Sequence, residues 1–235
     1  MQLHPTEKPN IVIIGASGHA SVIIDIIERQ NEYTIFGLID SFKPIGSKLF
    51  NYEVLGTEDN LPDLIKTNQV IGGIIAIGDN FDRRQMHLKI EALQVNFKYI
   101  SAIHPNAIIG KDVTIAEGVS IMPGSIANAN ASIGAFCILN TSSSLGHDCI
   151  MKPFSSLAPG VNVAGHVNLQ TCSSIGIGSC VIGGITIGAH THVGAGSTVI
   201  KDISSFKIAY GNPALEIRDR QENEGYLNKK KDLSS

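Results

Sequence analysis

Residues 102–149 divide into eight groups of six: AIHPNA, IIGKDV, TIAEGV, SIMPGS, IANANA, SIGAFC, ILNTSS and SLGHDC. The second residue of every group is apolar, and the pattern continues without a break to residue 203, which gives 17 groups. In 15 of these groups the second residue is Ile, Leu or Val. A short, fixed period is typical of a stacked solenoid, in which each unit buries one face only against its neighbours. The repeat therefore predicts a solenoid over residues 102–203.

A period of six fits neither the roughly 3.6 residues of a helical turn nor the alternation of a long strand. It fits a short strand followed by a tight corner, with three groups per coil and about six coils. Strand layers about 4.8 Å apart would make a prism on the order of 27 Å tall. Glycine at the third position supports this prediction, because it tolerates the positive φ and the close backbone approach that corners need. These glycines are Gly110, Gly134, Gly146, Gly176, Gly188 and Gly194.

The first hundred residues have a different pattern, in which apolar strands alternate with amphipathic helices. We predict a strand at 10–15, a helix at 18–30, a strand at 33–40, a helix at 60–66, a strand at 70–77, a helix at 79–93 and a strand at 96–100. Such alternation predicts a parallel sheet with helices on its faces. The chain is thus expected to divide into a Rossmann-like α/β domain at 1–100, a solenoid domain at 101–214 and a polar tail at 215–235.

The ligand crevice of such a sheet lies at the carboxyl ends of its strands. Three segments are predicted to meet there: residues 15–19 (GASGH), Asp40 and residues 78–80 (GDN). The first segment is not a dinucleotide fingerprint, since Ser17 stands where that motif has glycine. Its backbone N–H groups and the dipole of the following helix would still favour a phosphate. Asp40 could accept hydrogen bonds from a ribose or a base, and a solvated carboxylate without a ligand is an equal alternative.

The composition is that of a globular protein with no nucleic-acid or membrane character. The 235 residues are 43% apolar and 17% charged, with a formal net charge of −3, and the lysine cluster at 229–231 lies in the polar tail. No apolar stretch approaches the length of a membrane-spanning helix, and the first ten residues are polar, so neither a membrane span nor a signal peptide is expected. The four cysteines show no C-x-x-C spacing. The absence of such paired cysteines favours reduced thiols, and we expect a cytoplasmic protein.

Seven short motifs carry a resemblance that covers residues 10–214. The repeat [Ile/Leu/Val]-Gly-x-x-x-x is similar to that of the hexapeptide-repeat transferases. The motifs are, in order, GASGH at 15–19, DSFK at 40–43, AIGDN at 76–80, IHP at 103–105, NTSS at 140–143, GHDC at 146–149 and GNPA at 211–214. Together they resemble the nucleotide-sugar acetyltransferases, a family that includes the bacillosamine-pathway N-acetyltransferase and the sialic acid O-acetyltransferases.

This resemblance implies a left-handed parallel β-helix, a homotrimer, and an acetyl-CoA site between adjacent subunits. It also implies that the α/β domain binds a nucleotide-linked amino sugar for surface glycan biosynthesis, such as that of lipopolysaccharide. The reaction implied is attack of a sugar amine on the acetyl thioester, and no metal is expected. The positions that match the family's substrate site are Gly15, Ser17, Gly18, His19, Asp40, Lys43, Gly78 and Asn140.

Acetyl transfer needs a base with a near-neutral pKa, a group that orients this base, and a donor for the developing oxyanion. Histidine is the natural base, because its unperturbed pKa is about 6.5. The resemblance implies that His147 is the base, Asp148 its partner, and the backbone N–H of Gly165 the oxyanion donor. Adjacent strand residues point to opposite faces, so contact between His147 and Asp148 requires the corner to turn between them. We expect His166, His190 and His192 to be surface-exposed corner histidines without a catalytic role.

The resemblance also implies a groove for acetyl-CoA. Its expected residues are Gly165, Ile177, Ala195, Gly211, Pro213 and Ala214. One position departs from the family pattern, because family members often carry a second histidine in the segment that matches residues 154–160. That segment reads FSSLAPG here, with Ser156 in the place of the histidine. A serine can hydrogen-bond but is a poor base at neutral pH, which leaves more of the work to His147.

Three alternatives stay open on the sequence. The first is O-acetylation of sialic acid or a related sugar, or transfer of a longer acyl chain. The second is a zinc enzyme resembling the γ-carbonic anhydrases, in which three histidines hold the metal and leave a fourth position open. The His-x4-His spacing of that family is absent, because only one residue separates His190 from His192. The third is a purely structural solenoid, against which the α/β domain and the GNPA motif argue.

Overall fold

The computed structural model describes residues 8–67 and 69–225. The N-terminal domain contains a six-stranded sheet in the order β3-β4-β2-β1-β5-β6. Its elements are β1 (Asn10–Ile14), α1 (Gly18–Gln30), β2 (Thr34–Ile39), β3 (Lys48–Leu49), β4 (Tyr52–Gly56), a 3₁₀ turn (Glu58–Asn60), α2 (Leu61–Lys66), β5 (Gly72–Ile75), α3 (Asn80–Ala92) and β6 (Lys98–Tyr99). Every helix and strand predicted for this domain is confirmed, with small differences at the boundaries. No helix among the described residues is long and apolar enough to cross a membrane.

The sequence predicts a wholly parallel sheet, and the structure adds a hairpin at one edge that makes the sheet mixed. β3 pairs antiparallel with β4, and β4 in turn pairs parallel with β2. Most side chains of this hairpin are exposed or half-buried. The segment therefore lacks the long apolar run that identifies the other strands, and nothing in its sequence predicts a hairpin.

The central strand β1 is buried on both faces, and this explains its unbroken apolar sequence. Ile11 and Ile13 pack with the buried isoleucines of α1. Val12 and Ile14 pack on the opposite face with Leu61 of α2 and with α3. Alternate side chains of a strand point to opposite faces, so helices on both sides require apolar residues at every position.

Residues 102–199 form 17 two-residue strands, β7–β23, and each strand occupies the first two positions of a group of six. They are Ala102–Ile103, Ile108–Ile109, Thr114–Ile115, Ser120–Ile121, Ile126–Ala127, Ser132–Ile133, Ile138–Leu139, Ser144–Leu145, Ile150–Met151, Ser156–Leu157, Asn162–Val163, Asn168–Leu169, Ser174–Ile175, Cys180–Val181, Thr186–Ile187, His192–Val193 and Thr198–Val199. Each strand from β7 to β20 pairs in parallel with the strand three groups later, so three groups make one coil, as predicted. The coils form three flat faces, which we number from the strands that begin at Ala102, Ile108 and Thr114. The domain is a parallel β-helix.

The corners of the β-helix are made by the fifth position of each group. All fifteen residues at this position from Asp112 to Gly196 have positive φ, and nine of them are not glycine. The third-position glycines do not have positive φ, so that part of the expectation was wrong. They serve the other expected purpose, close backbone approach. A Cβ on Gly146 would lie 2.4 Å from the carbonyl carbon of Ala164 in the next coil.

The α/β domain docks on the first face of the β-helix and on the corner that precedes it. Apolar residues of the coils, including Met122 and Ile138, belong to the same core cluster as α1. Arg83 of α3 is 1% exposed. Its guanidinium donates to the carbonyls of Phe136 (2.8 Å) and Phe154 (3.2 Å) at two corners. It also donates to the carbonyls of Ile77 (2.9 Å) and Gly78 (3.0 Å).

The C-terminal strands close one end of the β-helix. β24 (Lys207–Gly211) extends the first face, and β25 (Ala214–Asp219) pairs antiparallel with it. The folded chain therefore continues past residue 214, where we expected the polar tail to begin. A buried Arg220 then donates to the carbonyl of His190 at 2.6 Å. Residues 226–235 of the expected tail lie outside the described residues.

Replacing Arg83 by methionine should lower the free energy of unfolding by about 3 kcal/mol or more, because several buried carbonyls lose their donor at once. Urea denaturation of the purified variant measures this. The matched control is Arg84→Met, since the neighbouring Arg84 makes a partly exposed ion pair with Glu222 at 2.8 Å. That change should cost about 1 kcal/mol or less. Equal losses in the two variants would contradict the role given to Arg83.

Candidate active site

A cleft of about 630 Å³ opens at the carboxyl ends of β1, β2 and β5, at the edge where the sequence predicts a ligand crevice. Four of the predicted substrate residues line it: Gly15, Ser17, Asp40 and Gly78. Gly18, His19 and Lys43 are close in sequence to these residues but do not line the cleft. The remaining one, Asn140, lies on the β-helix, where its side-chain oxygen accepts a hydrogen bond from the Thr141 N–H at 2.8 Å.

The turn after β1 requires glycine at its first position. Gly15 has a φ of 111°, and a Cβ on it would lie 2.9 Å from the carbonyl oxygen of Ala76. Only glycine adopts this conformation without strain while the two strands stay this close. The turn leads directly into the N-terminus of α1, where free backbone N–H groups favour an anion.

Asp40 organises the rim of the cleft. Its Oδ2 accepts the backbone N–H of Ala16 at 2.7 Å, and its Oδ1 accepts those of Phe42 (2.8 Å) and Lys43 (2.9 Å). Both oxygens are therefore already engaged, and the carboxylate ties the turn after β1 to the turn after β2. Phe42 projects beside it with 95% of its surface exposed, which offers a flat aromatic face at the mouth of the cleft.

Two residues of the cleft were not foreseen from the sequence. Glu58 is 1% exposed, its Oε1 forms an ion pair with the Nζ of Lys89, and its Oε2 accepts from the hydroxyl of Ser41 at 2.5 Å. Glu58 lies in the polar segment TEDN, whereas Lys89 lies much later in the chain, in α3. No local pattern distinguishes them from ordinary surface residues, so only the fold brings them together.

His19 lies near Arg83, and its Nε2 is buried with no hydrogen-bond partner among the described residues. Burial, followed by the nearby charge of Arg83, lowers the pKa of His19 to about 4. The ring is therefore neutral at pH 7. A neutral imidazole does not supply the positive charge that would pair with a phosphate.

A second cluster lies on the β-helix, at the corner between the second and third faces. Asp148 occupies the fifth position of its group and has a φ of 57°. The chain therefore turns between His147 and Asp148, as their predicted contact requires. The Nδ1 of His147 lies 2.7 Å from the Oδ2 of Asp148. The hydrogen bond with His147, and then one from Asn130, hold the pKa of the Asp148 carboxyl below its ordinary value.

His166, which we expected to be a surface-exposed corner histidine without a catalytic role, belongs to this cluster. It occupies the same corner position as Asp148, one coil later. Its Nε2 lies 3.9 Å from the Oδ2 of Asp148, and its ring meets that of His147 edge to face with centroids 5.0 Å apart. The sequence signal that could have identified it is its spacing from Asp148, which is three groups of six and therefore one full coil.

Gly165 lies directly against the ring of His147. A Cβ at this position would come within 2.5 Å of both Cε1 and Nε2 of the imidazole, so the ring occupies the space that a side chain would fill. The carbonyl of Gly165 accepts from the Gly184 N–H at 3.0 Å. Across the described ranges, nothing accepts a hydrogen bond from the N–H of Gly165. That N–H is therefore without a protein acceptor in the described parts of the chain.

The other residues expected to contact acetyl-CoA lie elsewhere on the same chain. Ile177 and Ala195 are both exposed, and they stack one coil apart at the corner between the first and second faces. Asn140 lies on that corner too. Gly211, Pro213 and Ala214 belong to the turn between β24 and β25, which contains a cis peptide bond before Pro213. Within one chain these groups are thus separated from the corner that carries His147.

The cluster of His147, Asp148 and His166 also has the chemistry of a metal site. One ligand atom from each residue lies within 4.8 Å of the others, and within the described parts of the chain no other His, Cys, Asp or Glu group of three does so. The other histidines lie apart from it. His190 stacks on Phe206, and His192 hydrogen-bonds to the hydroxyl of Ser174 at 2.8 Å, where burial lowers the pKa of His192 to about 4.

The sequence and fold of this chain match those of several known proteins. Residues 10–90 match the PglD N-terminal domain. Perosamine N-acetyltransferase from Caulobacter crescentus, a mutant with one histidine replaced by asparagine in complex with CoA and GDP-perosamine, is 34% identical. The match has a TM-score of 0.84 and covers 89% of this chain and 97% of that one. The acetyltransferase domain of PglB from Neisseria gonorrhoeae FA1090, in complex with acetyl coenzyme A, is 27% identical, with a TM-score of 0.81 and coverage of 89% and 100%.

A curated relative, the UDP-N-acetylbacillosamine N-acetyltransferase of Bacillus subtilis (strain 168), is 35% identical over 115 residues. This match covers 48% of the chain and 51% of the relative, about half the length of each. The chain belongs to the PglD family of hexapeptide-repeat, nucleotide-sugar N-acetyltransferases.

Replacing Gly165 by alanine should displace the ring of His147 and lower the kcat of acetyl transfer by about 10²-fold or more, because a base must keep its place relative to the proton it accepts. The backbone of Gly165 does not have positive φ, so alanine itself causes no strain there. The matched control is Gly183→Ala, at the same position one coil later, where the nearest atom to a new Cβ is a carbonyl oxygen at 3.1 Å. Steady-state kinetics and the melting temperature of both variants test this, and a fully active Gly165→Ala enzyme would contradict it.

Proposed function

We propose that this protein transfers the acetyl group of acetyl-CoA to the amine of a nucleotide-linked amino sugar. The observation that carries the proposal is the His147–Asp148 hydrogen bond beside the free N–H of Gly165. The related perosamine N-acetyltransferase, which was solved with CoA and GDP-perosamine, supports the class of both substrates. Two structures of that protein carry a replaced histidine, which is consistent with a histidine at the centre of its site.

In the proposed reaction His147 is the general base. Asp148 accepts the Nδ1–H of the imidazole, which leaves Nε2 unprotonated and able to accept a proton. The neutral amine attacks the thioester carbonyl, and Nε2 takes the proton that the amine loses. The C–S bond then breaks, and the imidazolium gives this proton to the sulfur, which leaves as the CoA thiol. Because the pKa of Asp148 is held low, the carboxylate stays ionised and stabilises the imidazolium that forms.

The N–H of Gly165 would stabilise the oxyanion. As the amine adds to the thioester, negative charge collects on the carbonyl oxygen, and a fixed donor aimed at it lowers the barrier. Gly165 lies against the ring of His147, so its N–H would lie close to an acyl group that the base can reach. Removing one such donor typically costs about 10²–10³ in kcat.

The nucleotide would bind in the cleft of the α/β domain. The turn at Gly15 and the N-terminus of α1 suit a diphosphate, and the exposed face of Phe42 suits stacking with a base. Asp40 would act mainly by holding the rim in shape, since its oxygens already bind three backbone N–H groups. Substrate contacts by Gly18, His19, Lys43 and Asn140 stay predictions.

A homotrimer would complete the site. The corner with His147 and Gly165 and the corner with Ile177 and Ala195 lie on different edges of one β-helix, and neighbouring chains around a threefold axis could bring such edges together. The trimer, a cytoplasmic location and a role in surface glycan synthesis stay predictions.

The experiment that tests the activity is release of thiol from acetyl-CoA with UDP-, GDP-, dTDP- and CMP-linked sugars, each with and without a free amine. We expect turnover only with an amino sugar, and the same rate in excess EDTA. Activity confined to a sialic acid would instead identify an O-acetyltransferase. Loss of activity in EDTA that zinc restores would support a metal enzyme at the His147, Asp148 and His166 cluster.

The shared site is tested by mixing two inactive variants. His147→Ala removes the base, and Ile177→Glu places a charge in the expected acetyl-CoA groove at the other corner. If each site takes one corner from each of two neighbouring chains, about a quarter of the sites in mixed trimers combine two intact corners. Co-expression in equal amounts should therefore restore about a quarter of the activity. Light scattering establishes the oligomer. No recovery in mixed trimers would contradict a site shared between subunits.

A further inference from the structure

The corner between the second and third faces carries a column of residues at the fifth position of successive groups. This corner column consists of Asn130, Asp148, His166 and Gly184, each one coil from the next. All four have left-handed backbone conformations, with φ of 61°, 57°, 60° and 75°. Side chains in the column therefore leave the coil in the same direction and stack on one another.

Asp148 is held between its two neighbours in the column. The Nδ2 of Asn130 donates to its Oδ1 at 3.1 Å, and the Nε2 of His166 lies 3.9 Å from its Oδ2, the same oxygen that contacts His147. The positive charge of His166 contributes to the lowered pKa of the carboxyl. Both imidazoles thus lie near one carboxylate oxygen, and that of His147 is within hydrogen-bond distance of it.

His166 also limits where the ring of His147 can lie. The backbone N–H of His166 donates to the carbonyl of His147 at 2.9 Å, which fixes the two corners relative to each other. The ring of His147 then lies over Gly165 and meets the ring of His166 edge to face. Above His166, a Cβ on Gly184 would meet nothing within 4 Å, so no side chain there competes for this contact.

We propose that His166 is a positioning residue for the base. Its ring meets the imidazole of His147 edge to face and holds it in place over Gly165. The kinetic consequence rests on the proposed function, whereas the placement of the His147 ring does not.

Two substitutions of His166 separate the effect of its ring from that of its charge. Both replacement residues already occupy left-handed corners elsewhere in this β-helix, so the corner should accept them. His166→Asn removes the ring and the charge but keeps a short polar side chain, as at Asn130 in the same column. His166→Phe keeps an aromatic ring without a charge, and phenylalanine occupies left-handed corners at Phe136 and Phe154. The control is His190→Asn, which removes a corner histidine that stacks on Phe206 instead.

We expect His166→Asn to lower kcat about tenfold through looser placement of the base, with KM for both substrates unchanged. His166→Phe should keep most of kcat. His190→Asn should behave as the unmodified enzyme. A raised KM for the amino sugar with unchanged kcat would overturn the proposal, because His166 would then be a substrate contact.

A second measurement separates this proposal from the proposed function. NMR of ¹³Cε1-histidine-labelled enzyme at a fixed pH reports the surroundings of the His147 ring, with its resonance assigned by the His147→Ala spectrum. We expect the His147 resonance to move in His166→Asn, because the ring that it meets edge to face is removed, and to stay in place in His190→Asn. An unchanged His147 resonance in His166→Asn would overturn the positioning role. A moved resonance without acetyl transfer to any sugar would leave the ring placement intact and refute the function.

Discussion

The structure depends on one backbone constraint, a left-handed conformation at the fifth position of the groups of six between Asp112 and Gly196. Fifteen consecutive groups obey it, whether the residue there is glycine or a side chain as large as that of phenylalanine or histidine. This conformation costs a non-glycine residue free energy, and it persists only where the surroundings enforce it. Here the enforcement comes from the coil, since the apolar second position on each side of the corner is anchored in the core. The corners set the length of each coil at three groups, and the coil length sets which side chains meet.

Three corners result, and they carry different elements of the molecule. The corner between the third and first faces holds Phe136 and Phe154, whose carbonyls bind Arg83 and so fix the α/β domain. The next corner carries Ile177 and Ala195, and the third carries His147. Because Arg83 also binds the carbonyls of Ile77 and Gly78, the same guanidinium fixes the cleft relative to the coils. The cleft and the corner with His147 are thus attached to the same coils.

The sequence predicts the fold better than it predicts the residues of the candidate site. The repeat predicts all 17 strands in their register, because one apolar residue per face is a strong and repeated signal. The contact between His147 and Asp148 was also foreseeable, since it is local and depends on one corner. His166 was not identified, because its role arises from a neighbour one coil away, and histidines at corners are not unusual in this chain. Glu58 and Lys89 were missed for the same reason, as their ion pair joins segments that carry no pattern of their own.

The same six residues provide both stability and chemistry, but from different positions. In SLGHDC, Leu145 and Cys149 point into the core and are fully buried, whereas His147 and Asp148 stand on the corner with much of their side chains exposed. The interactions that lower the pKa of Asp148 also stabilise the folded protein. This stabilisation is present above the ordinary pKa of a carboxyl and is lost as the pH falls through the lowered pKa. Since Asp148 is exposed, this contribution is small beside that of the core. Substitutions at the corner therefore alter the chemistry at little cost to the stability of the coil. Substitutions at the second position destabilise the coil and leave the corner side chains unchanged. A repeat that separates the two roles in this way can change its corner residues, and with them its chemistry, while the coils stay the same.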